Sequence, residues 1–213
     1  MLQHSIRRSL RQHLAGLWVR GPVPEGPAVL ASSHASWWDG YLLAELAWSA
    51  GQPCQVMMTD EQLSRFPFLR RAGAVGQRNM RTLWRGLQAG GWAVIFPAGE
   101  IRHPSQVVPL QPGAAWLAER AGVPLVPVAA RVVMRGGQWP EAFLRLGPPC
   151  PPPELEGALT RLAAALEYDL QQAPAEQPPA GYLCLMRGRA GRHERPDWPS
   201  RLLARLDRHG EGD

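Results

Sequence analysis

The stretch Ser32-Ser33-His34-Ala35-Ser36-Trp37-Trp38-Asp39 decides how this chain folds, because it separates two apolar segments and carries a histidine and an aspartate. The apolar run before it predicts a strand over 28–33, and the pattern after it predicts a helix over 39–50. On one continuous helix, side chains five residues apart lie about 140° apart, too far to share a hydrogen bond. We therefore predict a turn between strand and helix, with Asp39 at the helix N-terminus, where the helix dipole favours a carboxylate.

His34 and Asp39 together have the chemistry of a general base and the carboxylate that orients it. Imidazole titrates near neutral pH and can take a proton from a weak nucleophile, while a carboxylate on its other nitrogen fixes the tautomer. The structural alternative is that His34 only ends a strand and Asp39 only caps a helix. This pair by itself leaves both interpretations open.

Further segments follow in a fixed order: Gly-Ala-Val-Gly-Gln-Arg at 73–78, Phe-Pro-Ala-Gly-Glu-Ile-Arg at 96–102, a glycine-led helix pattern at 111–118, and Val-Pro-Leu-Val-Pro-Val at 123–128. With the His-x4-Asp run, they resemble the motifs of the glycerolipid acyltransferases, the lysophosphatidate-acyltransferase-like enzymes. The resemblance extends over residues 28–131, more than half of the predicted domain.

This resemblance implies transfer of a fatty acyl group from an acyl thioester, acyl-CoA or acyl carrier protein, to a hydroxyl of a lysophospholipid such as 1-acylglycerol-3-phosphate. It implies that His34 is the general base and that Asp39 orients it. The other motifs supply candidate substrate-binding residues: Arg78, Phe96, Pro97, Gly99, Glu100 and Arg102. An alcohol can attack a thioester directly, so we expect no metal and no organic cofactor. Backbone N–H groups of residues 97–99 are candidates to stabilise the oxyanion.

Counting from the His-x4-Asp run, the third motif, residues 96–102, departs from the family pattern. Ala98 stands where the family usually has glutamate, and the acid and the arginine come later, at Glu100 and Arg102. In the family this segment helps to hold the acceptor phosphate, so the acceptor stays open. A branch acting on glycolipids and glycosylated carotenoids has a similar Phe-Pro-x-Gly-Glu-Ile-Arg run. A homologue that binds membranes but has lost activity is a further alternative.

Composition fits one folded domain: 213 residues, of which 45% are apolar. The net charge of +5 suggests an anionic partner such as a lipid surface, coenzyme A or an acyl carrier protein. All 23 basic residues are arginine, which rules out lysine chemistry. We expect no nucleic-acid partner, because neither a reading helix nor interleaved basic and aromatic strands are evident. The three cysteines have no metal or disulfide spacing, which favours a reducing cytosol.

Residues 2–18 have a basic, amphipathic helical pattern that ends in tryptophan. Such a helix suits an anionic bilayer surface, and the alternative is that its apolar face packs on the domain's own core. No apolar run is long enough for a membrane-spanning helix. We therefore predict a cytoplasmic protein, peripherally associated with the inner face of the membrane.

Alternating strand and helix patterns predict an α/β fold: a single domain whose central, mostly parallel mixed sheet is covered by helices on both faces. We predict an amphipathic N-terminal helix at 1–20, the acyltransferase domain at 21–173 and a loosely ordered tail at 174–213, in which residues 202–206 favour one short helix. A serine hydrolase is disfavoured because no Gly-x-Ser-x-Gly elbow occurs. A metal hydrolase built from His34, Asp39, Glu100 and His103 lacks paired histidine spacing.

Overall fold

The computed structural model describes residues 2–102 and 109–189. The strands of this part are β1 (Gly16–Arg20), β2 (Ala28–Ser32), β3 (Cys54–Met58), β4 (Ala74–Gly76), β5 (Trp92–Ile95), β6 (Leu125–Val133), β7 (Glu141–Leu146) and β8 (Leu183–Arg187). The helices are α1 (Leu2–His13), α2 (Asp39–Ser49), α3 (Asp60–Arg65), α4 (Met80–Gln88), α5 (Gly113–Ala121) and α6 (Leu155–Gln172). Short 3-10 helices lie at Pro67–Ala72 and Pro152–Glu154.

One sheet of eight strands runs through the described residues in the order β4-β3-β5-β2-β6-β7-β1-β8. The first five strands are mutually parallel, β7 is antiparallel to β6, β1 is parallel to β7, and β8 is antiparallel to β1. Parallel strands buried on both faces consist of continuous apolar runs, and β2 and β5 are buried along their whole length. The predicted α/β class, with a mostly parallel mixed sheet and helices on both faces, is confirmed.

Helices cover both faces of the sheet. On one face, α1 and α2 pack through a core that includes Leu10, Leu42 and Leu46. On the other face, α4 and α5 pack through a second core that includes Leu83 and Leu117. The two sides of β2 enter different cores because successive side chains of a strand point to opposite faces.

The N-terminal segment differs from the predicted helix over residues 2–18. Helix α1 ends at His13, and Gly16–Arg20 form β1, which lies between β7 and β8. Glycine at position 16 disfavours continuing the helix, while Trp18 and Val19 favour a strand. Ile6 and Leu10, the apolar face of α1, are buried in the core, so the core-packing alternative describes this face.

The segment after Ala173 also differs from expectation. We expected a loosely ordered tail, but Leu183–Arg187 form the edge strand β8. The overall Pro, Gly and Arg content of residues 174–213 hides a short apolar run at 182–186, which is long enough for a strand. The short helix predicted at 202–206 lies outside the described residues. Among the described helices, none has the length and apolar character needed to cross a membrane.

Candidate active site at the carboxyl edge of the sheet

The predicted site residues follow neighbouring parallel strands at the edge where those strands end. His34 follows β2, residues 96–102 follow β5, and Arg78 follows β4. Since β5 pairs with β2, the first and third motifs lie side by side. Ligands of α/β proteins bind in crevices outside the carboxyl ends of the strands, so this edge is the candidate active site.

His34 and Asp39 are in direct contact. The distance between His34 Nδ1 and Asp39 Oδ2 is 2.9 Å, and the backbone N–H groups of Ala35 and Ser36 donate to the same oxygen at 2.8 and 2.9 Å. The turn between β2 and α2 thus wraps around the carboxylate, as the spacing argument required. Asp39 is fully buried, whereas 19% of the His34 side chain is exposed.

These contacts fix the tautomer of His34. An ionised carboxylate only accepts hydrogen bonds, so Nδ1 carries the proton and donates a hydrogen bond to Asp39. Nε2 is then the unprotonated nitrogen of the neutral imidazole. Within residues 2–102 and 109–189, Nε2 has no hydrogen-bond partner. The arrangement can therefore accept a proton from a bound hydroxyl group.

The third motif supports His34 from the neighbouring strand. The Phe96 ring stacks on the imidazole, with ring centroids 4.2 Å apart and an interplanar angle of 22°. The Arg102 backbone N–H donates to the His34 carbonyl oxygen at 2.8 Å. One contact holds the ring and the other holds the backbone, so the two motifs form one unit.

Residues 96–99 form a tight turn. Gly99 has φ +78°, and its N–H donates to the Phe96 carbonyl oxygen at 3.0 Å. This positive φ favours glycine, whereas the nearest obstacle to a Cβ, the side-chain nitrogen of Gln111 at 2.6 Å, is the end of a flexible side chain. Proline has no N–H, and the Gly99 N–H is already bonded. Of the expected oxyanion donors at 97–99, Ala98 is left, and its N–H has no hydrogen-bond partner within residues 2–102 and 109–189.

Glu100 and Arg102 form an ion pair with each other, between Arg102 Nη2 and Glu100 Oε1. The Glu100 side chain is 62% exposed and that of Arg102 is 35% exposed. Arg102 Nε is buried and has no hydrogen-bond partner among the described residues. The displaced acid of the third motif therefore faces the displaced arginine and offsets its charge.

The structure does not bring Arg78 to His34. Three strand spacings, about 14 Å, separate the ends of β4 and β2. The Arg78 side chain is 89% exposed, and its Nε lies 3.4 Å from Oδ2 of Asp60. Arg78 thus occupies the outer end of the same edge, where it can meet only a part of a substrate that is remote from His34.

Two other sets of side chains bear on alternative chemistry, the Cys54 thiol and the metal-ligating residues. Burial raises the pKa of the Cys54 thiol to about 12, so its thiolate is scarce at neutral pH. No cluster of three or more metal-ligating side chains occurs among the described residues, and His103 of the metal alternative lies outside them.

Two supporting contacts were missed from the sequence. Phe96 was expected to contact substrate, but its ring lies on His34, and Arg102 holds His34 through a backbone group that no side-chain pattern reveals. The sequence carries no signal for either contact, because the first and third motifs follow strands that are not consecutive in the chain and become neighbours only in the sheet.

Comparisons with known proteins agree with the fold and identify the family. The chain resembles in fold the crystal structure of a 1-acyl-sn-glycerophosphate (LPA) acyltransferase, PlsC, from Thermotoga maritima. The sequence identity is 20%, the TM-score is 0.57, and the match covers 78% of this chain and 80% of that one. A search of curated proteins gave no significant match. A family model described as acyltransferase matches residues 16–131, which contain the buried aspartate, its histidine and the adjoining third motif; this chain belongs to the acyltransferase family.

Proposed function

We propose that this protein transfers a fatty acyl group from an acyl thioester to a hydroxyl group of a lipid, with His34 as the general base. The observation that carries the proposal is the buried Asp39 carboxylate 2.9 Å from His34 Nδ1, which leaves Nε2 available to substrate. A histidine that merely ended a strand would not need a buried carboxylate held by two backbone N–H groups.

The reaction is a direct displacement. The hydroxyl proton moves to His34 Nε2 as the hydroxyl oxygen bonds to the thioester carbonyl carbon. Asp39 stabilises the imidazolium that forms. When the tetrahedral intermediate collapses, the C–S bond breaks and the leaving thiolate takes the proton from His34. The Ala98 N–H lies in the turn after β5 and is our candidate donor to the oxyanion.

The donor is an acyl-CoA or an acyl carrier protein, and Arg78 is our candidate contact for its phosphate or for an acceptor phosphate. Its exposed guanidinium suits such a role, since arginine binds phosphate through paired N–H groups. The enzyme would act in the cytoplasm at the inner face of the membrane, where lipid acceptors are found.

A lysophospholipid such as 1-acylglycerol-3-phosphate is the first candidate acceptor. One observation favours a second, a glycolipid or glycosylated carotenoid: the Glu100–Arg102 ion pair. An arginine already neutralised by a carboxylate attracts a phosphate monoester less, and the Glu100 carboxylate itself repels it. Sugar hydroxyl groups carry no charge and can bond to both side chains.

The test is thiol release from acyl-CoAs and acyl carrier protein donors, with lysophosphatidate, other lysophospholipids and glycolipids as acceptors. We expect acceptor-dependent release that falls by about 10²–10⁴-fold in His34→Ala. Arg120→Ala, which removes an exposed side chain of α5 on the other face of the sheet, is the control and should keep the wild-type rate. Equal release by wild type and His34→Ala would contradict the proposal. No release with any donor and acceptor would favour an inactive membrane-binding homologue.

Glu100→Gln separates the two acceptors. If Glu100 discriminates against phosphate, this variant should raise kcat/KM for lysophosphatidate relative to a glycolipid. An unchanged ratio would show that Glu100 does not set acceptor choice.

A further inference from the structure

The net charge of this chain is confined to its first part. Residues 1–99 contain 10 arginines and 5 acidic residues, a net charge of +5, whereas residues 100–189 contain 8 of each. Two of the five acids, Asp39 and Glu45, are buried, and Glu45 is paired with Arg7. The exposed surface of the first part is therefore more basic than its composition indicates.

Part of this charge lies on one face of the molecule. Helix α1 points Ile6 and Leu10 into the core and exposes Arg8 and Arg11 on its outer side. The 3-10 helix Pro67–Ala72 lies beside α1 and exposes Arg70 and Arg71. Neither helix contains an acidic residue, and in the described part of the chain none of these four arginines has an acidic partner.

Exposed aromatic side chains lie at both ends of this face. Phe68 is 50% exposed and borders an open groove with Leu2, Ser5 and Arg71 at the start of α1. At the other end of α1, the His13 ring lies 5.6 Å from Trp38, which packs edge-on against Trp37, and Trp37 is 57% exposed. Since α1 has 12 residues, the face is about 18 Å long.

We propose that this basic face, formed by α1, the 3-10 helix Pro67–Ala72 and Trp37, docks on an anionic lipid bilayer. Unpaired arginines attract anionic headgroups, and aromatic rings settle at the headgroup level. The contact is made by the outer side of α1 and by the 3-10 helix, not by the apolar side of α1, which the core has already buried.

The face leads directly to the candidate active site. Trp37 lies within the turn between His34 and Asp39, so a bilayer that reaches Trp37 also reaches the His34 loop. The inference names the surface from which the proposed reaction takes its lipid acceptor, and in that respect it rests on the proposed function. Docking itself can be measured without turnover.

The experiment is sedimentation of the full chain with phosphatidylcholine vesicles that contain or lack phosphatidylglycerol. We expect binding that requires phosphatidylglycerol and weakens with salt. Each surface arginine is worth about a fivefold change in affinity, so Arg70→Gln/Arg71→Gln should weaken binding about 25-fold. Phe68→Ser should also weaken vesicle binding relative to wild type, without changing the dependence of binding on salt.

The matched control is Arg81→Gln/Arg85→Gln, which removes the same charge from the exposed side of α4, on the opposite face of the sheet. It should leave vesicle binding within about twofold of wild type. Equal losses in the two double variants would overturn the proposal in favour of a bulk charge effect, and so would binding that ignores phosphatidylglycerol. His34→Ala should bind as wild type does, so a failure of the proposed chemistry would leave the docking result intact.

Discussion

In each of two aspartates of this protein, one carboxylate oxygen accepts three hydrogen bonds, yet the two clusters suit different roles. Asp39 Oδ2 accepts from His34 and from the backbone N–H groups of Ala35 and Ser36. Asp169 Oδ2 accepts from Arg20, Arg145 and the Tyr182 hydroxyl, which come from distant parts of the chain.

The two clusters differ in whether a donor group has a second atom that can still interact. Around Asp169 the donors are two cations and a hydroxyl whose proton is already committed, so the cluster joins α6 to β1, β7 and Tyr182. Around Asp39 the only side-chain donor is an imidazole, and its second nitrogen faces outward with no partner in the described part of the chain. All donors of Asp169 are used within its cluster, which suits a stabilising role, whereas the second imidazole nitrogen at Asp39 is what the proposed chemistry requires.

The largest expected effect is on Asp39. Asp39→Asn keeps an acceptor for the two backbone N–H groups but no longer enforces the Nδ1–H tautomer or stabilises the imidazolium. We expect kcat to fall by about 10³–10⁴-fold, with little change in the urea midpoint. Steady-state kinetics and urea unfolding of the same preparation test this. A loss of activity that merely follows a loss of folded protein would contradict it.

Asp169→Asn should show the opposite pattern. Removing this carboxylate leaves Arg20 and Arg145 without their counter-ion, and we expect a loss of about 2 kcal/mol in the free energy of unfolding, moderated because Arg20 is partly in water. The kcat of the protein that remains folded should stay within about twofold of wild type, since no step of the proposed reaction uses this cluster. A fall in kcat as large as that of Asp39→Asn would remove the distinction between the two carboxylates.

The aromatic neighbours of the two clusters extend the comparison. Phe96 stacks on His34, while Phe143 packs edge-on against Tyr182 with centroids 5.7 Å apart. Phe96→Leu should lower kcat about 3- to 10-fold by loosening the imidazole, because such ring contacts are worth about 0.5–1.5 kcal/mol. Phe143→Leu should instead lower the free energy of unfolding by about 1 kcal/mol at unchanged kcat. Similar kinetics in the two variants would contradict the positioning role of Phe96.

The smallest effect concerns alkaline pH. Burial, with the charge of Asp169 adding to it, raises the pKa of Tyr182 to about 12 from its ordinary value of 10. Between about pH 10 and pH 12, the Tyr182 hydroxyl therefore keeps its proton in the folded state and loses it in the unfolded state. The stability that results is complete below pH 10 and declines as the pH rises toward 12, by up to about 1.4 kcal/mol per pH unit.

Tyr182→Phe should remove this part of the pH dependence while leaving other titrating groups in place. The measurement is urea unfolding of wild type and variant between pH 9 and 11.5. The difference between their free energies of unfolding should shrink with rising pH, and a constant difference would contradict the predicted shift.

Much of the candidate site could be predicted from local sequence, because its central contacts are local. His34, Ala35 and Ser36 lie within five residues of Asp39, so a break between an apolar strand and an apolar helix was enough to predict the pair. The strand β2 and the helix α2 also match their predicted ranges of 28–33 and 39–50 to within one residue, since two apolar segments separated by a polar turn leave little choice of boundary.

Other features were decided only by the tertiary structure. A strand such as β1 or β8 is formed by its neighbours across the sheet, and neither its local composition nor its helical spacing shows them. The Phe96 stack and the bond from Arg102 to His34 required β5 to lie beside β2, which depends on the order of strands in the sheet.

The sequence by itself thus determined the α/β class, the contact between His34 and Asp39 across a turn and the excess of arginine in the first 99 residues, because these depend on residue type and short spacing. Only the tertiary structure decided that α1 buries its apolar side, that Phe96 stacks on His34, and that the strand before Arg78 ends about 14 Å from the end of β2. Each of these depends on which segments become neighbours, and that is set by the packing of the whole chain.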